Sequence, residues 1–262
     1  MNNKQNKTIL RHLPNFITSL NLLSGSVAIV LLFENNADYT LWAGLLVFLA
    51  AIFDFLDGLV ARTLNAYSDM GKELDSLADL VSFGIVPGMI AFRLLKESLT
   101  IINTPILDVE FSEQIILVLA MLIPVFSGLR LAKFNTDTRQ VENFIGLPTP
   151  ANALFWASLI IIYSFYNPIF YIVITNIYFL ITSILILSFL LVSEVPMFSL
   201  KVKNFSIKDN LIRYIFVGIS LILLMILWIK GFYLIIGIPL IIITYIFVSI
   251  IGAIIKKLKK EK

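Results

Sequence analysis

Four aspartates, Asp54, Asp57, Asp75 and Asp79, fall within 26 residues of a chain that is otherwise largely apolar. They read Asp54-Phe-Leu-Asp57-Gly58-Leu-Val-Ala61-Arg62 and Gly71-Lys-Glu-Leu-Asp75-Ser-Leu-Ala-Asp79. Spacings of three and four put each pair on one face of a helix, a turn apart. A carboxylate inside a membrane costs about 2.5–3.5 kcal/mol on insertion scales, so four cost on the order of 10 kcal/mol unless something neutralises them. Too few Lys or Arg lie nearby to do so. Either the carboxyl groups share protons, as in a proton relay, or divalent cations hold them ionised; oxygen donors of this kind suit Mg2+, Mn2+ or Ca2+. Gly58, Ala61 and Gly71 favour the metal reading. Small side chains there leave room for a bulky ligand beside the ions, although they also let helices pack closely. A proton wire needs no such gap.

The elements that carry these residues must be membrane helices. Hydrophobic residues make up 59% of the 262-residue chain, only 14% are charged, and the mean hydropathy is +0.94. Soluble domains are nearer a quarter charged. The composition predicts an all-α, polytopic membrane helix bundle. About 20 apolar residues are needed per span, which predicts eight: 15–33, 40–62, 73–95, 113–133, 149–166, 169–193, 211–229 and 231–253. The Asn167-Pro168 turn is the boundary most open to another division. No soluble domain or internal repeat is visible, and no removable signal peptide is expected. The absence of cysteine excludes disulfides and thiolate metal sites. His12, the single histidine, reads as a solvated interfacial residue in the polar arm.

Charge gives the orientation. With eight spans and both termini on one side, that side holds 17 of the 20 Lys and Arg, while Arg93, Lys96 and Lys230 face the other. This bias predicts a multi-pass protein of the cell (inner or plasma) membrane with termini and acidic residues cytoplasmic. The basic residues sit at span ends rather than on one face, so the net charge of +3 is no nucleic-acid signal. The Lys cluster at 256–262 fixes topology and touches anionic lipid. Asp54 and Asp57 lie at the cytoplasmic end of the second span, Asp75 and Asp79 at the cytoplasmic start of the third. A short connection makes these spans antiparallel neighbours, so the four carboxylates can converge.

The string Asp54-x2-Asp57-Gly58-x2-Ala61-Arg62-x8-Gly71-x3-Asp75-x3-Asp79 resembles the signature of the CDP-alcohol phosphotransferase family with every position filled. The resemblance covers a six-helix core, giving an arm at 1–14, the core at 15–193 and two additional helices with a basic tail at 194–262. It implies an integral membrane enzyme that transfers a substituted phosphate from a CDP-linked donor to an alcohol and releases CMP. Further segments are similar to the serine-using branch of that family. They are Leu13-Pro14-Asn15-Phe-Ile-Thr18-Ser-Leu-Asn21-Leu-Leu-Ser-Gly25, Asp75-Ser76-Leu-Ala-Asp79-Leu-Val-Ser82-Phe83-Gly84, Gly128-Leu-Arg130-Leu-Ala-Lys133-Phe134-Asn135 and Phe144-Ile-Gly146-Leu-Pro148-Thr-Pro150-Ala151. The implied donor is CDP-diacylglycerol and the implied acceptor L-serine. Other acceptors (glycerol 3-phosphate, inositol phosphate, choline) remain the nearest alternative, and a cation-coupled transporter is the more distant one.

The resemblance also implies roles. Asp54, Asp57 and Asp75 would ligate one or two divalent cations, Mg2+ or Mn2+ with Ca2+ also suited, and Asp79 would complete the second site and act as general base. Gly58, Ala61, Arg62 and Gly71 fall to the nucleotide pocket, although Arg62 also suits a plain cytoplasmic helix end. Pro14, Asn15, Thr18 and Asn21 form a polar stripe for cytidine, or else cap the first helix. A serine carboxylate calls for a cation, for which Arg130 and Lys133 are candidates, with Ser82 and Asn135 beside them; basic residues at the interface also anchor lipid headgroups. Family members resemble homodimers.

Overall fold

The computed structural model describes residues 2–34, 36–137, 144–165, 167–198 and 207–260. Arg139, Lys201, Lys203 and Lys262, which enter the charge asymmetry, lie outside the described residues. Each of the eight expected spans contains helix among the described residues, and the protein is a polytopic helical membrane bundle.

Helix α1 (Asn2–Phe33) runs from the polar arm into the first span without a break, with Pro14 inside it. Helix α2 (Ala37–Thr63) starts on Asn36, whose side chain accepts from the Asp38 amide at 2.8 Å. The chain then turns through Asn65, which adopts φ 49°. Ser68 caps the next helix by accepting from Gly71 N at 3.0 Å. The third span is α3 (Asp69–Leu80), a π turn over Val81–Ile85, and α4 (Val86–Ser98). That π turn, directly after Asp79, is invisible to a hydropathy pattern and is a feature frequent at functional sites.

The fourth span divides into α5 (Phe111–Leu119) and α6 (Leu122–Thr136). Helix α7 (Thr149–Ser164) has 16 residues and is buried on nearly all sides, packing against α2 and α4. At 1.5 Å per residue it is about 24 Å long, short of a full hydrocarbon thickness; neighbouring helices rather than lipid surround it. The sixth span is broken. Helix α8 (Pro168–Ile174) meets α9 (Ile177–Val192) at a 57° bend, because Asn176 caps a new helix by accepting from Phe179 N at 3.1 Å. Helices α10 (Ile207–Ile229) and α11 (Gly237–Lys260) complete the bundle, α11 packing on α7. Among the described residues, six helical runs are therefore long and apolar enough to cross a membrane, and the bent pair of α8 and α9 makes a seventh if counted as one span.

Strands β1 (Phe144–Ile145) and β2 (Pro196–Met197) pair antiparallel and tie the loop before α7 to the loop after α9. Gly146 follows at φ +78°, where a Cβ would stand 2.6 Å from the Leu191 carbonyl oxygen. Only glycine fits there.

Candidate metal and nucleotide site

Helices α2 and α3 bring the carboxylates together from opposite sides of the Thr63–Ser68 turn. Ligand oxygens of Asp54, Asp57 and Asp75 all lie within 4.8 Å of one another. Among the described residues no Lys or Arg forms an ion pair with any of the three, and Asp57 Oδ2 is buried without a hydrogen-bond partner. Three clustered oxygen donors lacking a protein cation fit a divalent metal ion. Asp79 stands one turn beyond Asp75 on the same helix face. Its Oδ1 accepts from Asn21 Nδ2 at 3.4 Å.

Beside the cluster is a cavity of about 570 Å³. Of the residues expected at the nucleotide, Pro14, Asn15, Thr18, Gly58, Ala61 and Gly71 line it, together with Asp57 and Asp75. Helix α1 closes one wall: Asn15 packs so closely that a Cβ on Gly71 would stand 2.8 Å from Asn15 Oδ1. Gly58 differs, since a Cβ there meets nothing nearer than Arg62 Nη2 at 4.0 Å. Its missing side chain is cavity volume. Arg62 is exposed and runs alongside Gly58 rather than lining the cavity. Asn21 is fully buried and stands behind Asp79. Thr18 Oγ1 donates to the Pro14 carbonyl at 3.0 Å, and both residues line the cavity together with Asp57.

Five lining residues escaped the sequence reading: Ala66, Tyr67, Ser68, Asp69 and Lys72. All belong to the turn and the first helical turn of α3. The Ser68 cap followed by Gly71 was the available signal, since it starts α3 at Asp69 rather than at 73.

The residues expected at the acceptor are dispersed. Arg130 is buried, donates Nη1 to Thr149 Oγ1 at 3.3 Å, and interacts electrostatically with Asp79. Its guanidinium lies 5.5 Å from the Phe134 ring centroid. Lys133 turns the other way, pairing with Glu194 and donating to the Val192 carbonyl at 3.4 Å. Ser82, in the π turn, donates to the Asn21 carbonyl at 3.0 Å. Asn135 donates to Ser76 Oγ at 2.8 Å.

Fold and site together define a polytopic membrane protein with a carboxylate cluster that could hold a metal ion beside a cavity of about 570 Å³. The chain belongs to the CDP-alcohol phosphatidyltransferase family, which residues 11–255 match; that match runs through α10 and into α11. Curated relatives named CDP-diacylglycerol–serine O-phosphatidyltransferase include the Bacillus subtilis protein, 37% identical over 161 residues, or 61% of this chain and 80% of the relative. The Methanocaldococcus jannaschii protein is 35% identical over 142 residues, 54% of this chain and 57% of its own length. The Mycobacterium leprae protein is 33% identical over 195 residues, 72% and 58%. This chain thus spans less than two thirds of the latter two.

Proposed function

We propose that the protein transfers the phosphatidyl group of CDP-diacylglycerol to the hydroxyl of L-serine, forming phosphatidylserine and CMP. The observation that carries this reading is the convergence of Asp54, Asp57 and Asp75 at the edge of a cavity walled by Gly58, Ala61 and Gly71. The names of the relatives supply the donor and acceptor.

Asp54, Asp57 and Asp75 would hold the metal, Mg2+ or Mn2+ with Ca2+ also fitting, and Asp79 a share of a second ion. Bound there, a divalent cation would supply Lewis-acid polarisation of the donor's diphosphate and would offset charge on departing CMP. Pro14, Asn15 and Thr18 orient the cytidine side of the donor, with Arg62 reaching in from the exposed rim. Asp79 takes the proton of the serine hydroxyl, which is otherwise a weak nucleophile. As the serine oxygen–phosphorus bond forms, the bond from phosphorus to the CMP oxygen breaks and CMP leaves. Arg130 pairs with the serine carboxylate; Ser82 and Asn135 complete the surroundings. A lone buried guanidinium suits one carboxylate better than a phosphorylated acceptor. The site faces the cytoplasm of the cell membrane on the charge bias of the loops, the catalytic residues lie in the 15–193 core, and two copies pair as a homodimer, which crosslinking in membranes tests.

Purified protein given CDP-diacylglycerol and labelled serine should yield labelled phosphatidylserine with equimolar CMP, lost with EDTA and restored by Mg2+ or Mn2+. Incorporation of glycerol 3-phosphate in place of serine would overturn the acceptor. EDTA-resistant turnover would overturn the metal centre.

A further inference from the structure

Of the buried side chains that carry polar atoms with no hydrogen-bond partner among the described residues, four gather where α6, α7 and α9 meet: Ser127 Oγ, Arg130 Nε, Asn152 Nδ2 and Oδ1, and Ser188 Oγ. Folded proteins leave few such atoms unpaired, and each calls for a bound water, ion or ligand. These four share one region. The Arg130–Thr149 hydrogen bond fixes the level at which α6 meets α7. Ser127 lies three residues before Arg130, and Asn152 three after Thr149; each step leads one turn away from the connecting loop along the same helix face. Ser188 enters from α9, four residues before Val192, whose carbonyl accepts from Lys133. Lys133 is three residues past Arg130, so Ser188 stands near the level of Arg130. The π turn closes the fourth side, since a Cβ on Gly84 would stand 3.1 Å from Ser127 Cβ. Asp79, five residues before Gly84, interacts electrostatically with Arg130.

We propose that Ser127, Asn152 and Ser188 form, with Arg130, the inner wall of the acceptor site and recognise an amino acid by its carboxylate and ammonium groups together. The inference rests on serine being the acceptor. Arg130 Nε and Asn152 Nδ2 are the free donors, matching a carboxylate. Asn152 Oδ1 and the two serine hydroxyls are the free acceptors, matching an ammonium group. The third substituent, the hydroxyl, then points back toward Asp79. None of these residues borders the 570 Å³ cavity assigned to the nucleotide.

The test is steady-state kinetics on the full chain. Asn152→Leu should raise the KM for serine at least tenfold, the scale of a lost hydrogen bond to a charged group, while leaving the KM for CDP-diacylglycerol within twofold. CDP binding to the variant, measured directly, confirms folding. Ethanolamine, which lacks the carboxylate, should be a poor acceptor for the wild type and should lose less than serine does in the variant. An unchanged serine KM in a variant that binds CDP overturns the proposal; so does an equal rise in both KM values. Should Asn152→Leu fail to fold, Ser127→Ala and Ser188→Ala read the same quantity, and no rise in serine KM in either is again fatal. If wild-type protein does not use serine at all, the function proposed above is what fails.

Discussion

Asn21 Nδ2 donates to Asp79 Oδ1 at 3.4 Å across 58 residues of sequence, while the carbonyl of Asn21 accepts from Ser82 in the π turn. Helix α1 therefore holds the third span at the proposed base and at the π turn just after it. This contact makes Asn21 a positioning residue for Asp79 and not part of the cavity lining. Asn21→Ala should lower kcat by roughly 5- to 30-fold, the effect of about 1–2 kcal/mol, with the KM for CDP-diacylglycerol nearly unchanged. A raised donor KM with normal kcat would return Asn21 to the nucleotide.

Close approach of the same two elements also depends on Gly25. A Cβ there would stand 2.4 Å from Ser82 Oγ and 2.9 Å from Ser82 Cα, the second a backbone atom with little freedom to retreat. Gly25→Ala should destabilise the protein by about 1–3 kcal/mol through overpacking, seen as a lower melting temperature in detergent. An unchanged melting temperature would mean that α1 and the π turn are not packed this tightly.

Gly58 and Gly71 look alike in the signature, yet their surroundings separate them. Gly71 is small because Asn15 occupies the space; Gly58 is small beside open cavity. Gly58→Leu should fold normally, since glycine is worth about 1 kcal/mol less than alanine within a helix. It should nevertheless raise the KM for CDP-diacylglycerol at least tenfold by filling the donor's volume. Intact protein with a normal donor KM would place the nucleotide elsewhere.

What the sequence disclosed follows the reach of periodicity. Runs of apolar residues located eight helical segments, and spacings of three and four located the carboxylate pairs, because both signals are local. The 57° bend in the sixth span depends on Asn176, a single cap inside an apolar run that hydropathy averages away. The π turn after Asp79 has no signature of its own; the contacts of Ser82 and Gly84 with α1 and α6 accompany it. Lys133 was grouped with Arg130 by its three-residue spacing, but its partner Glu194 is 61 residues away. Asn152 was passed over for the same reason: among apolar neighbours it looks like an ordinary interior polar residue until the opposite helix is in view.

Arg130 and Lys133 should consequently differ in effect. Arg130 is buried within electrostatic reach of Asp79, whereas Lys133 is part-exposed and held by Glu194. Arg130→Ala should raise the serine KM at least tenfold and more than the donor KM. Lys133→Ala should change either parameter by about threefold or less, as exposed ion pairs contribute little. Equal, large losses in both variants would restore Lys133 to the acceptor site.

The absence of cysteine from the whole chain allows orientation to be tested on an otherwise native background. Thr63, at the exposed end of α2, and Asp108, in the loop between α4 and α5, lie at opposite ends of the third span. With the acidic site facing the cytoplasm, a membrane-impermeant maleimide added to intact cells should label Asp108→Cys and spare Thr63→Cys. Permeabilised cells should label both. The loop distribution of Lys and Arg predicts this orientation, and the site would follow it, because Asp54 and Asp57 are on the same helix as Thr63, within its last three turns. The reverse pattern would put the carboxylates on the outer face, away from any cytoplasmic supply of donor and acceptor.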